Sequence, residues 1–337
     1  MAKRVLIVTH SFDLHADLVS AKLKATASPP FRLNLDDFPT AFDITLTFTD
    51  GQWGGGLTHR PTGDSLRIEE IGAVWMRQKA DFRYRSGELS PQEKAYADGE
   101  MEHILFSMLY ALDCYWMSHP LAVRGASWKG EQLLRAARMG FDVPSSIITN
   151  RRTDVDEFRR AVAGDMVFKT LSSPILAADE VAAEDRIASH LSTTLITDDD
   201  DALLDAVVEL PSFFQPNVPK SHELRVTIIG DRVFAARIHS QADPRTMIDC
   251  RDMSAEILYE AETLPADISC RCLDFVHSYG LTYGAIDLIV TPEGRYVFLE
   301  NNPVGQFLFV EQLVPALDMT GYTARILSDG ARNRGVL

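Results

Sequence analysis

The stretch that most constrains this chain is GAIDLIVTPEGRYVFLENNP, residues 284–303. Apolar runs at Tyr283–Val290 and Arg295–Asn301 flank the turn TPEG, which predicts a β-hairpin. Asp287 falls mid-strand in apolar company, where an unpaired carboxylate is costly to bury, so a cation is expected beside it. Glu300 and Asn302, two apart on the partner strand, share one face, and the turn at Gly294 folds that face towards Asp287. Three oxygen ligands on one hairpin suit magnesium, which prefers octahedral oxygen and shares its shell with phosphates and water. The structural alternative puts Asp287 at a bulge and pairs Glu300 with an arginine.

The rest of the chain alternates between strand and helix patterns, giving an α/β (α+β) class. A β-α opening covers Val5–Thr9 and Asp13–Lys24, followed by strands at Phe31–Leu35 and Phe42–Phe48. GQWGGG reads as a turn, Ile71–Met76 as a buried strand, and Ser90-Pro91 as the start of a helix reaching Leu112. Helices are expected at Ser127–Met139 and, capped by Thr153, further on, with strands at Ser145–Thr149 and Asp165–Thr170. An acidic helix runs from Asp198 to Leu210, and two alternating stretches joined at Gly230-Asp231 form an antiparallel hairpin. Boundaries are expected at 1–120, 121–211 and 212–337, as 337 residues suit two or three domains.

A net charge of −15 argues against a nucleic-acid partner, whose phosphates need a basic stripe. No apolar run approaches the length of a membrane span, and MAKRVLIVTHSFDLH carries no cleavage-site pattern, so a cytoplasmic protein without a membrane partner is expected. Four cysteines at irregular spacing read as reduced thiols. Nothing points to a cysteine nucleophile or a Ser-His-Asp set. His222 and His239 read first as hydrogen-bonded strand residues, with His222 the better candidate for a helper.

Asp287, Glu300, Asn302 and Pro303 resemble the metal-binding end of ATP-grasp ligases, and FFQPNVPKSHELR resembles their adenine hinge and following strand. The resemblance implies an ATP-grasp fold: an N-terminal pre-grasp domain, a central domain, and a C-terminal antiparallel grasp domain. It implies ATP and Mg2+ as cofactors, with Lys129 and Lys169 on the phosphates and Phe214, Gln215, Asn217 and Val218 around the adenine. Buried strand packing is the competing reading for Phe214 and Val218. No glycine-rich lid is evident between Lys169 and Gln215, and a short turn at Ser172–Ala178 is the candidate lid.

VLIVTHSFDLHAD, AVWMRQK, ARIHSQ, Asp249-Cys250-Arg251 and ENNPVGQFLFVEQ are similar to the graspetide synthetases, microviridin-type enzymes that cyclise ribosomal peptides through side-chain esters or amides. The likeness implies a precursor peptide (leader plus core) as partner and a homodimer as the assembly. Arg225 and Arg237 would hold acidic core side chains, with Arg251 nearby; their structural alternative is pairing with Glu223 or Asp231. The acidic helix reads as a solvated face or as a leader dock, in which Asp201 and Asp205 share an arginine. The sequence departs from the subgroup at Pro216, Cys250 and Asn301, the last standing where an aliphatic residue is common. The implied reaction activates a carboxylate as an acyl phosphate, which a hydroxyl or amine then attacks. Alternatives are a ligase of amino acids or protein tails and a non-catalytic nucleotide- or peptide-binding module.

Overall fold

Val5–Val8 carries four consecutive apolar residues, which fits a strand covered on both faces, and such strands belong to parallel sheets under helices. The computed structural model, which describes residues 2–162, 164–172, 193–252 and 254–333, has such a sheet. The chain divides into two compact units, one of residues 1–122, 280–283 and 318–337, the other of 123–279 and 284–317.

In the first unit, β1 (Arg4–Thr9), β2 (Pro30–Asn34), β6 (Ile71–Met76) and β7 (Tyr115–Trp116) form a parallel sheet in the order β2-β1-β6-β7. Helix α1 (Leu14–Leu23) is capped by Asp13, and α2 (Pro91–Tyr110) by a Ser90–Glu93 capping box. The C-terminal helix α8 (Met319–Arg332) packs on α1 and β6. Gly72 permits that approach, since a Cβ there would stand 2.4 Å from the Ala331 carbonyl oxygen. No described helix is long and apolar enough to cross a membrane.

A second sheet of this unit holds β3 (Phe42–Thr49), β4 (Gln52–His59) and β5 (Asp64–Arg67), all antiparallel. GQWGGG is therefore not a turn. Only Asp50-Gly51 turns, both at positive φ, and Gln52–Gly56 pairs with β3. The glycines serve close backbone contact: a Cβ on Gly55 would fall 2.0 Å from the Thr45 carbonyl oxygen.

The second unit starts within α3 (Pro120–Gly125), and its first full helix is α4 (Lys129–Arg138). A small antiparallel sheet follows in the order β10-β9-β11-β8, from β8 (Ile147–Thr149), β9 (Met166–Lys169), β10 (Thr194–Ile196) and β11 (Ser212–Pro216). Helix α5 (Arg152–Ala161) begins two residues earlier than a Thr153 cap requires. Arg151 takes the cap position, its amide bonded to the Thr149 hydroxyl, and Thr153 lies inside the first turn. The acidic stretch Asp198–Val208 is a 3₁₀ helix.

The large sheet runs β14-β13-β12-β15-β16, built from β12 (His222–Ile229), β13 (Arg232–Ile238), β14 (Tyr259–Glu262), β15 (Tyr283–Val290) and β16 (Tyr296–Asn302). Helix α6 (Ala266–His277) packs on β12 and β13, α4 on β16, and α7 (Leu308–Leu313) on β14.

Candidate functional site

Asp287 and Glu300 are direct partners in the β15–β16 ladder, so both carboxylates leave the same face. A bulge does fall between Asp287 and Leu288. Glu300 pairs with a lysine instead of an arginine: Lys129 Nζ lies 3.0 Å from its carboxylate and donates to the Thr170 carbonyl at 2.8 Å. Arg225 donates to Asp287 at 2.8 Å and to the Gln306 carbonyl at 3.2 Å.

Glu300 is held in place from behind. The Gln132 side chain of α4 accepts from the Asn301 amide and donates to the Asn301 carbonyl, each at 2.8 Å, closing the open edge of β16. Lys129 is the first residue of α4, so the same docking that satisfies Asn301 brings its ammonium to Glu300. Asn302 is exposed, with its side-chain oxygen accepting from the Val304 amide.

Burial raises the Asp287 carboxyl, and the neighbouring Glu300 raises it further against the opposing pull of Arg225. Burial also works to raise Glu300, but Lys129, Lys169 and Arg251 more than offset it and its carboxyl is lowered. Lys169 is brought down to about 8, mainly by burial, with Lys220 and Lys129 adding to the effect. Arg251 grips Asp249 through two nitrogens at 2.7 and 2.6 Å.

The structure separates several residues expected together. Arg225 is registered with Ala236, so Arg237, one residue on, projects from the opposite face of the sheet, where it pairs with Glu262 at 2.8 Å. His222 lies on that reverse face by the same alternation, with its ring next to the Ser221 hydroxyl. Glu223, one of the two partners named in the structural alternative, is held by Lys220 at 2.9 Å. Asp201 and Asp205 do share an arginine, but it is Arg152 of this chain.

Phe214 is 1% exposed and packs with Phe168, Val155 and Leu204 in the core of the small sheet. Phe213 is registered with Lys169 and Gln215 with Val167, so these share the other face. Gln215 is buried and donates to the Ser146 hydroxyl at 2.9 Å. The Asn217 amide bonds the Asp165 carbonyl at 2.7 Å, and Val218 is half-buried. The candidate lid lies outside the described residues beyond Ser172.

Sequence reasoning missed Glu223, Lys220 and Phe213. The signal for Glu223 was present, because it stands two residues before Arg225 on one strand and so shares its face. Among the described residues no three His, Cys, Asp or Glu side chains are grouped to hold a metal. The donor set here is two carboxylates beside one amide, which fits an ion that takes the rest of its shell from phosphate and water. Extra positive charge would also relieve the half-buried Asp287, whose carboxyl is raised.

Residues 4–124 match the family model described as the MvdD pre-ATP grasp domain. Solved structures similar over nearly the whole chain include the following three. A RiPP-associated ATP-grasp ligase of Chryseobacterium gregarium, in complex with ADP and a leader and core peptide, is 28% identical with a TM-score of 0.87, covering 99% of this chain and 100% of that one. Macrocyclase MdnC of Microcystis aeruginosa, bound with precursor peptide MdnA, is 30% identical with a TM-score of 0.82, covering 97% and 99%. Macrocyclase MdnB of the same organism is 27% identical with a TM-score of 0.77, covering 96% and 99%. No curated protein sequence matches the chain.

Proposed function

Because the chain belongs to the graspetide-type ATP-grasp ligases, we propose that it uses ATP and magnesium to form side-chain ester or amide crosslinks in a ribosomally made precursor peptide. The observation that carries this reading is the directly opposed pair Asp287 and Glu300, ringed by Lys129, Lys169, Arg225 and Arg251.

Asp287, Glu300 and Asn302 would hold the magnesium ion, which when bound spreads the charge of the transferring phosphoryl group. Lys129 and Lys169 neutralise nucleotide phosphates as point charges. The face of the small sheet that carries Lys169, Phe213 and Gln215 receives the nucleotide, with backbone groups at Asn217 and Val218 reading the adenine edge. An acidic side chain of the peptide attacks the γ-phosphorus, giving an acyl phosphate and ADP. A hydroxyl or amine of the same peptide then attacks the acyl carbon, and phosphate leaves with the carboxylate oxygen. Arg225 and Arg251 orient the carboxylate and stabilise its developing charge. Asp201 and Asp205, both well exposed, take a basic leader residue in exchange for Arg152. The assembly is a homodimer and works in the cytoplasm.

Mass spectrometry of a precursor peptide incubated with this protein, ATP and magnesium tests the reading. The expected result is the loss of one water per ring, dependent on ATP and abolished by Glu300→Ala. An unchanged peptide, with ADP released on free amino acids, would overturn it in favour of a small-substrate ligase.

A further inference from the structure

Strand β16 ends on Asn302, and the chain turns back through Pro303, Val304 and Gly305. That order suits a β-turn. Asparagine bonds the backbone two residues on, proline presets the second position, and glycine is favoured at the fourth. Both expected bonds are present: the Asn302 side-chain oxygen accepts from the Val304 amide at 3.1 Å, and the Asn302 carbonyl accepts from the Gly305 amide at 3.2 Å.

Gly305 is buried and does not stand at positive φ, so backbone freedom is not what it supplies. It supplies space. A Cβ there would stand 2.8 Å from the Ala285 Cβ, 2.8 Å from Arg225 Nη2 and 3.3 Å from the Asn302 Cβ. Ala285 is registered with Asn302 and Asp287 with Glu300, so the turn folds back over the face of the hairpin that carries the carboxylates, against the guanidinium. The two closest atoms differ in how they are held. The Ala285 Cβ belongs to a fully buried strand residue, whereas Arg225 Nη2 ends a long side chain that donates to Asp287 at 2.8 Å and, through Nη2 itself, to the Gln306 carbonyl at 3.2 Å.

We propose that the turn 302–305 positions Arg225, with Gly305 as the positioning residue: its missing side chain fixes where the guanidinium stands, and so where it meets the substrate carboxylate. This rests on the role given to Arg225 above; the device is new. One turn then serves two tasks, since it starts at Asn302, proposed as a metal ligand, and ends against the arginine proposed for the substrate. An alanine at 305 overpacks the spot, and the flexible end of Arg225 yields before the buried strand does. Moving from 2.8 Å to an ordinary contact of about 3.5–4.0 Å displaces the guanidinium by roughly 1 Å. A misplacement of that size costs about 100-fold in rate.

The test compares the unaltered full chain, Gly305→Ala, Arg225→Ala and the double variant, by cyclisation rate across peptide concentration and by ADP titration without magnesium. Gly305→Ala is expected to lower kcat/KM for the peptide by roughly 100-fold with ADP affinity unchanged. Once Arg225 is alanine, the same change is expected to cost nothing further, because the glycine acts through the arginine. A loss that multiplies with that of Arg225→Ala overturns the proposal, and so does a Gly305→Ala rate equal to that of the unaltered protein. Ala285→Gly in the Gly305→Ala background removes the other close atom and is expected to restore the rate, which excludes misfolding as the cause. Crystal structures of the unaltered and Gly305→Ala proteins give a readout independent of activity. A guanidinium moved off the Gln306 carbonyl with β15 in place supports the proposal, and an unmoved guanidinium overturns it. An unaltered protein that binds ADP but leaves the peptide unchanged overturns the function proposed above, and the crystal structures then decide the positioning by themselves.

Discussion

Asn301→Leu should stabilise this protein. Asn301 is 2% exposed, and neither its side-chain oxygen nor its side-chain nitrogen has a hydrogen-bond partner among the described residues. Its backbone bonds to Gln132 do not involve the side chain and survive substitution. A buried polar group left unsatisfied costs about 1–3 kcal/mol, and leucine has the same branching and number of heavy atoms without either polar group. Room is limited, since a Cβ at Gly284 would stand 2.6 Å from the Asn301 oxygen, so a larger side chain than leucine would overpack. The expected gain is about 1–3 kcal/mol, read as a raised urea midpoint at unchanged slope. In thermal unfolding each kcal/mol should add roughly 2–4 °C for a unit of this size. Asn301→Ala should fall below Asn301→Leu by roughly 2–5 kcal/mol, the usual cost of an emptied leucine site. A loss of about 1 kcal/mol or more in Asn301→Leu would refute the reasoning and mean that an ordered water satisfies the amide.

Three further perturbations separate the faces and charges of the site. Arg225→Ala is expected to lower kcat for cyclisation at least about 100-fold, as loss of a preorganised donor does, whereas Arg237→Ala on the reverse face changes it little; equal losses would contradict the sheet register. Phe214→Ala should cost about 3–5 kcal/mol in stability and leave ADP affinity of the folded protein intact, while Phe213→Ala weakens ADP with a smaller loss of stability, both checked by unfolding and titration calorimetry. Lys169 is lowered to about 8, so its charge and its contribution to nucleotide affinity are present below pH 8 and fade above it. The stability sign is opposite to that of a raised lysine: its burial penalty is full below about pH 8 and is relieved as pH climbs towards the ordinary lysine value. ADP affinity measured across pH 7 to 9 should therefore decline above about 8, and Lys169→Arg should flatten the curve.

The meeting of Asp287 and Glu300 was legible because one short turn joins their strands and period-two alternation does the rest. The same logic was available for Arg237. The two-residue Gly230-Asp231 turn pairs Ile229 with Arg232 and so sets Arg225 opposite Ala236, leaving Arg237 on the other face. Phe213 and Phe214 were harder, because β11 is central and apolar on both faces, and only its register to Lys169 tells them apart. Arg152 at Asp201 and Asp205 spans about fifty residues of chain, which no local pattern reports. GQWGGG misled because glycine permits both a turn and a close strand contact, and composition alone does not choose.

The ion pairs of the site follow from its charge balance. Lys129, Lys169, Lys220, Arg225 and Arg251 converge with Glu223, Asp249, Asp287 and Glu300, five cations against four carboxylates in a strongly acidic chain. Asp249 and Glu223 keep Arg251 and Lys220 in place through local contacts two and three residues apart. Arg225 and Lys129, by contrast, reach across the fold to Asp287 and Glu300, the two carboxylates proposed above as metal ligands. They are counter-ions that prevent two half-buried carboxylates from facing each other unpaired. In the reaction proposed above, a further positive partner at those carboxylates would free the same two cations, Lys129 for phosphate and Arg225 for the substrate carboxylate. On that proposal, binding would exchange one set of ion pairs for another without creating uncompensated charge. Burial and the facing Glu300 raise the Asp287 carboxyl against the pull of Arg225, so added positive charge at this pair would be favourable.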